Sequence, residues 1–216
     1  DDITEEVLKK IKKLSVSAIW YTGVISHATK THFNGIKDCN GSIVKGEAGS
    51  PYAIRNYFDV SPALANNHDN RMAEFEALIH RTHKAGMKVI IDFVPNHVFR
   101  QYDTYFTKDN FYLLNGALVL PESLNSDYVE NPAKATGNDV FHTSPSIHDW
   151  YDTVKLNYDN HGTWVKMLEI LKFWVSKGVD GFRCDMVELV PAEFFGWAFS
   201  EIKYIYPNTF FIAEVY

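Results

Sequence analysis

Val179-Asp180-Gly181-Phe182-Arg183-Cys184-Asp185 is a short, largely apolar run that ends on an acid, and it reads as a buried β-strand with a carboxylate at its C-terminal end. A second run of the same kind, Phe210-Phe211-Ile212-Ala213-Glu214, closes on another acid 29 positions later (214 − 185). Between them Phe194, Phe195, Ala198, Phe199, Ile202 and Ile205 recur at helical spacing and stop at Pro207. Strand, helix, strand predicts two parallel neighbours joined by a crossover. In a barrel of such units the C-terminal strand ends open into one mouth, so Asp185 and Glu214 are predicted to converge.

The same unit recurs toward the N-terminus. Ile3, Val7, Leu8, Ile11 and Leu14 form an amphipathic stripe ahead of the apolar run Ser17–Thr22. Met72, Phe75, Leu78 and Ile79 form another, stopped by Gly86, ahead of Lys88–Val94. Trp164, Val165, Leu168, Leu171 and Val175 form a third, stopped by Gly178, ahead of the Asp185 strand. Near-continuous apolar strands alternating with helices predict an α/β protein whose parallel sheet is covered on both faces.

Two connections are longer than such units need. One, rich in Gly, Asn and His, runs from Thr22 to Met72; the other, polar and aromatic, runs from Val98 to Trp164. Loops of that length in a compact domain are usually functional. Both follow strands, so both are expected to wall the active face. The expected organisation is a barrel portion over 1–98, an irregular inserted subdomain over 99–163, and a continuation of the barrel over 164–216.

Composition narrows the ligand class. With 216 residues and 46% apolar content the chain can bury one sizeable core. A net charge of −6 with no Lys/Arg run argues against nucleic acid and anionic membrane and for a neutral ligand. No apolar stretch approaches the roughly 20 residues of a membrane span, and the charged opening Asp1-Asp2-Ile3-Thr4-Glu5-Glu6 does not read as a signal peptide. Cys184 lies in a strand and Cys39 in a Gly/Asn-rich loop, so both are expected to be free thiols. The compartment stays open.

Three short motifs, in order and each at a strand end, carry a resemblance. Asp92-Phe-Val-Pro-Asn96-His97, Gly181-Phe-Arg183-Cys-Asp185 and Phe211-Ile-Ala-Glu214 resemble signature regions of the α-amylase family, glycoside hydrolase family 13. Ser50-Pro-Tyr52-Ala-Ile-Arg-Asn-Tyr57 resembles that family's loop with a sugar-stacking tyrosine. Lys155-Leu-Asn-Tyr-Asp159 resembles its motif near the end of the inserted domain. The resemblance covers nearly the whole chain and implies part of a TIM (β/α)8 barrel, about strands two to five of the family order, with the inserted subdomain after the third strand. It also implies that the first strand precedes Asp1 and that the sixth to eighth follow Tyr216. The family's third carboxylate, an aspartate in a His-Asp pair, has no counterpart here. On that expectation the missing strands belong to a longer parent chain, and the 216 residues alone are inactive.

Local chemistry gives roles to these residues. Two convergent carboxylates are what glycosidic bond cleavage needs. Arg183 and Asp185 are two apart on one strand, so their side chains share a face, and the guanidinium is expected to lower the Asp185 pKa, as suits a nucleophile. Glu214 follows three apolar residues and is expected to be held protonated by an apolar setting, as suits a general acid. The resemblance implies a retaining reaction through a glycosyl-enzyme intermediate on α-glucans such as starch or maltooligosaccharides. It further implies that His97 binds hydroxyls of the cleaved sugar, that Asp92 and Asn96 brace their loop, and that Tyr52 stacks on a sugar ring. Asn96 is implied as a calcium ligand. Glu188, a candidate substrate contact, stands where many amylases carry lysine, and Leu189 replaces the usual histidine. A small response to calcium removal, or none, is therefore expected, and no organic cofactor is.

Taken alone, an Arg and an Asp two apart on a strand are more often a structural ion pair, and a strand-end Glu a helix cap. Their place within three ordered motifs favours catalysis. An α-glucan transglycosylase or isomerase, and a non-catalytic glycan-binding relative, stand as alternatives. A nucleotide-binding open sheet is set aside, because no glycine-rich phosphate loop is present.

Overall fold

A computed structural model describes residues 2–102, 104–111, 113–114, 117–118 and 152–215. In chain order its elements are α1 (Glu5–Lys12), β1 (Ala18–Tyr21), β2 (Ile25–His27), β3 (Ile54–Val60), α2 (Arg71–Lys84), β4 (Lys88–Phe93), β5 (His97–Phe99), β6 (Leu113–Leu114), β7 (Ala117–Leu118), β8 (Thr153–Lys155), α3 (His161–Ser176), β9 (Gly181–Cys184), α4 (Ala192–Ile205) and β10 (Phe210–Ala213). Strands β1, β4, β9 and β10 form one parallel sheet in that order. This is the four-unit arc expected from the apolar runs.

The register of that sheet sorts the residues onto two faces. Val89, Ile91, Phe93, Phe182 and Cys184 are all 1% exposed or less and form the core with Met167, Ile170, Leu171 and Trp174 of α3 and Phe194, Ala198 and Ile202 of α4. Each fully buried side chain of this size contributes roughly 1.5–3 kcal/mol. The alternate positions face the other way: Trp20 is level with Ile90, Ile90 with Gly181, Asp92 with Arg183, and Arg183 with Ile212. Gly181 has to be glycine there, because a Cβ would lie 2.8 Å from the Phe210 carbonyl oxygen. At the C-terminal rim the ladder runs one step further. The Asp185 N–H donates to the Phe93 carbonyl at 2.9 Å and the Glu214 N–H to that of Cys184 at 3.0 Å, which fixes both acids level on neighbouring strands.

Helix ends follow the expected punctuation. Gly86 (φ +76°) and Gly178 (φ +100°) take the left-handed conformation that terminates α2 and α3. The first stripe is only partly used. Of its apolar residues Leu8 is buried, whereas Leu14 lies beyond the helix end and is 75% exposed.

The long connections hold more structure than their composition indicated. Within 22–72, β2 and β3 pair antiparallel with shifts of register, and Tyr57 and Ile54 reach the core. Within the second connection β5 pairs antiparallel with β8, so its two ends are tied together beside the sheet. Most of the expected inserted subdomain, residues 119–151, lies outside the described residues.

Candidate active site

Arg183 is the hub of the rim. Its guanidinium donates to Asp185 Oδ1 at 2.7 Å, to Asp92 Oδ1 at 3.4 Å, and to Glu214 Oε1. The planar cation is packed between two aromatic rings, 5.3 Å from the Trp20 centroid and 5.4 Å from that of Tyr52. Such contacts favour arginine over lysine, because one plane offers donors at its edge and a stacking face. The carboxylates it serves come from three strands, and the parallel register alone brings them level.

Asp185 opens the cavity. One oxygen is held by Arg183, and Oδ2 is buried with no hydrogen-bond partner among the described residues. The next residue, Met186, is buried in the left-handed region (φ 50°, ψ 45°), which is costly for a side chain of this kind. That turn aims its N–H at Glu214 Oε2, 3.1 Å away. Nothing in the type of residue 186 announces this conformation.

The lowering expected of the Asp185 pKa is not found. Arg183 does favour ionised Asp185, but burial outweighs it and the Glu214 carboxylate adds to the rise, so the Asp185 carboxyl is pushed up to about 7. Among the described residues no apolar setting surrounds Glu214. Ile212 and Ala213 are exposed, and Glu214 is held by an ion pair and a backbone donor.

His97 is buried, and its ring bonds the Tyr52 backbone. Burial, with Lys45 and Lys155 nearby, takes its pKa down to about 3, so it is a neutral ring. Asn96 Nδ2 lies 3.1 Å from His97 Nδ1. The turn carrying both residues is fixed from behind: the Tyr57 hydroxyl lies 2.6 and 2.8 Å from the carbonyls of Val94 and His97, and Tyr158 donates to that of Pro95 at 2.7 Å.

A cavity of about 320 Å³ is lined by Asp185, Glu214, Arg183, Met186, His97 and Tyr52, together with Lys45, Ser50, Asp152 and Thr153. Four candidates of the sequence fall elsewhere or do other work. Asp92 is buried beneath Arg183, accepting from the Gly23 N–H at 3.2 Å and from Trp20, so it braces and does not face a substrate. Tyr52 lines the cavity, but with its ring against Arg183. Glu188 is exposed on the turn after Met186 and does not line the cavity, because the left-handed step redirects the chain. Asn96 Oδ1 is buried and unpartnered, as a metal ligand in waiting would be. Among the described residues no cluster of three or more acidic, His or Cys groups could hold a metal, and two lysines act on the adjacent His97. Lys45, Asp152 and Thr153 escaped the sequence reading, since they lie in the long connections without periodicity or motif.

Comparison with known proteins places this arrangement. The family model for the alpha amylase catalytic domain matches residues 2–204. Alpha-amylase 3 of Dictyoglomus thermophilum is 27% identical over 179 residues, covering 76% of this chain and 33% of that protein. Cyclomaltodextrin glucanotransferase of Niallia circulans is 30% identical over 200 residues, covering 90% and 25%. Among solved structures, an alpha-amylase from Lactobacillus plantarum superposes with a TM-score of 0.68 at 27% identity, covering 96% of this chain and 39% of that one. The chain thus spans a quarter to a third of the length of these curated relatives.

Proposed function

Since the chain belongs to the alpha-amylase family and forms part of its (β/α) barrel, we propose that it carries the nucleophile and the acid of a retaining glycosidase acting on α-glucans of the starch or maltooligosaccharide type. Asp185 attacks the anomeric carbon while Glu214 gives its proton to the departing oxygen, leaving a glycosyl ester on Asp185. Glu214 then takes a proton from water, which attacks the same carbon and releases Asp185. Arg183 holds Asp185 level with the sugar, and neutral His97 offers its ring to the hydroxyls. Residues 1–98 and 164–216 supply the barrel in this reading, and 99–163 the inserted subdomain.

The observation that supports it best is the guanidinium of Arg183 joined to both acids at the wall of one cavity. The Asp185 carboxyl, pushed up to about 7 by its burial, is ionised above that pH, as attack on the anomeric carbon requires. Transfer to a sugar acceptor instead of water uses the same residues, and the glucanotransferase relative keeps that second reading open.

The test uses the full-length protein that contains these residues. Asp185→Asn and Glu214→Gln should each lower turnover on maltooligosaccharides by roughly 10,000-fold or more with folding nearly intact. The first product should keep the α configuration by NMR. Wild-type rates in either variant, or an inverted anomer, would sink the proposal. Product analysis on starch, maltooligosaccharides, isomaltose, sucrose and trehalose separates hydrolysis from transfer.

A further inference from the structure

Trp20 stands beside the acids without lining the cavity that holds Asp185 and Glu214. It is 46% exposed and borders a separate cleft with Thr22, Arg71 and Phe75. Burial of its own surface is therefore only half of what a core tryptophan would achieve. Its contacts with the site are more specific. The ring centroid lies 5.3 Å from the guanidinium carbon of Arg183, and the indole N–H donates to the Asp92 carboxylate.

Both contacts act on one cation. Trp20 is level with Ile90, two positions before Asp92 on the same face of the sheet, and Asp92 is level with Arg183. Asp92 also accepts from the Gly23 N–H at 3.2 Å, so it is fixed by two donors besides the guanidinium, which reaches it at 3.4 Å. A second ring, that of Tyr52, lies 5.4 Å from the same cation. Carboxylates thus hold the guanidinium by its edge and rings by its plane, an arrangement only arginine can use in full. Without the Trp20 ring that plane opens to water, the side chain regains rotamers, and its pull on Asp185 is diluted.

We propose that Trp20 is a positioning residue of the reaction, whose ring holds the Arg183 guanidinium against Asp185 and so keeps the nucleophile poised without touching the sugar. The inference rests on the glycosidase reading above for the role of Asp185. Asp185 is faced by Arg183 from its own strand, by Glu214 from β10, and by Tyr52, His97, Lys45 and Asp152 around the cavity, with Asp92 beneath Arg183. Trp20 reaches it through Arg183, whose attraction lowers the Asp185 carboxyl against the rise caused by burial and by Glu214. Loss of the ring therefore raises that carboxyl further, and the ionised nucleophile forms only at higher pH.

The experiment uses the full-length protein that contains these residues, with Trp20→Met, which has no ring, and Trp20→Phe, which keeps a ring but loses the N–H. On maltooligosaccharides the acid limb of kcat/KM reports the free enzyme. It should move up by about 0.5 pH unit in Trp20→Met, the size of one cation–ring contact, and by less than roughly 0.2 in Trp20→Phe. KM on the plateau should stay within about 2-fold in both, since an interaction felt only through Arg183 leaves substrate binding alone. The same displacement should be readable without activity. The fall in melting of Trp20→Met relative to its double variant with Asp185→Asn should extend about 0.5 pH unit higher than in the pair with Trp20 intact. Should Trp20→Met not fold, fluorinated tryptophans at position 20 keep the shape and weaken the ring's pull, and both readouts should climb with the number of fluorines. An unmoved limb, equal movement in Trp20→Met and Trp20→Phe, or no response to fluorination would overturn the positioning role and leave the glycosidase reading in place. A KM raised 10-fold would put Trp20 on the substrate and overturn it likewise. Displaced melting with no cleavage by the unaltered protein would remove the reaction reading and keep the hold of Trp20 on Arg183.

Discussion

Arg183 and Asp185 leave the same face of β9 with the guanidinium 2.7 Å from Asp185 Oδ1, and the carboxyl is nevertheless held near pH 7 by its burial. Proximity of opposite charge therefore does not decide the ionisation of Asp185. The desolvation of a buried oxygen and the second carboxylate beside it together exceed the attraction of a cation already shared among three acids.

The pH dependence of stability should show this. The folded value of Asp185 lies above the ordinary carboxylate value of about 4. Between roughly pH 4 and 7 the folded chain keeps a proton that the unfolded chain has released, so this group's contribution falls as pH rises, by up to about 1.4 kcal/mol per pH unit. Melting of the wild type should drop relative to Asp185→Asn between pH 5 and 7.5. Parallel curves for the two proteins would exclude the raised carboxyl.

Removing the hub should cost far more than an exposed ion pair. Arg183→Met leaves Asp92, Asp185 and Glu214 without their common cation, and breaking a buried pair on one side costs about 3–5 kcal/mol. Urea unfolding should register a loss of that order, and adding Asp92→Asn should restore part of it. A loss under about 1 kcal/mol would mean the cluster is solvated enough to stand alone.

The two thiols should separate by reactivity. Burial pushes Cys184 up to about 12 and leaves it 1% exposed, whereas Cys39 is half-buried beside Arg55, whose Nη1 lies 3.5 Å from its sulfur. A thiol reagent at pH 8 should label one cysteine in the native protein and both in urea. Rapid native labelling of Cys184 would contradict the packing of the helix layer.

Calcium removal should shift the melting temperature by no more than about 2 °C, the equivalent of roughly 1 kcal/mol or less for a domain of this size. The lysines near His97 and the lack of a carboxylate cluster among the described residues give this expectation. A drop of 10 °C on chelation, restored by calcium, would place an ion on Asn96.

Much of the barrel was legible because its signals are local. Apolar runs such as Lys88–Phe93 and punctuation such as Gly86 and Gly178 report on their own conformation. The acids of the rim were legible for the same reason, since each ends such a run. The β2–β3 pairing was not. Ile54–Val60 buries every third residue instead of alternating, because its pairing is shifted by irregular register, and no period-2 pattern survives. Nor could Lys45 and Asp152 be matched, as 107 positions (152 − 45) separate them. The setting of Glu214 depends on how Met186 turns, which is a tertiary property of a residue with no backbone preference of its own.

The level alignment of β4, β9 and β10 also limits how this sequence can drift. A single residue gained or lost between Val179 and Cys184 would carry Cys184 into the cavity and turn Arg183 toward the helices, exchanging every later position of the strand between the two faces. Length is therefore barred from varying there, even where composition is free to. The connection at 28–50 contains no strand and carries no such parity, so the chain can add or remove residues there without moving its acids. Change in what the protein recognises is thereby channelled into the walls, while the floor of the cavity admits only substitution.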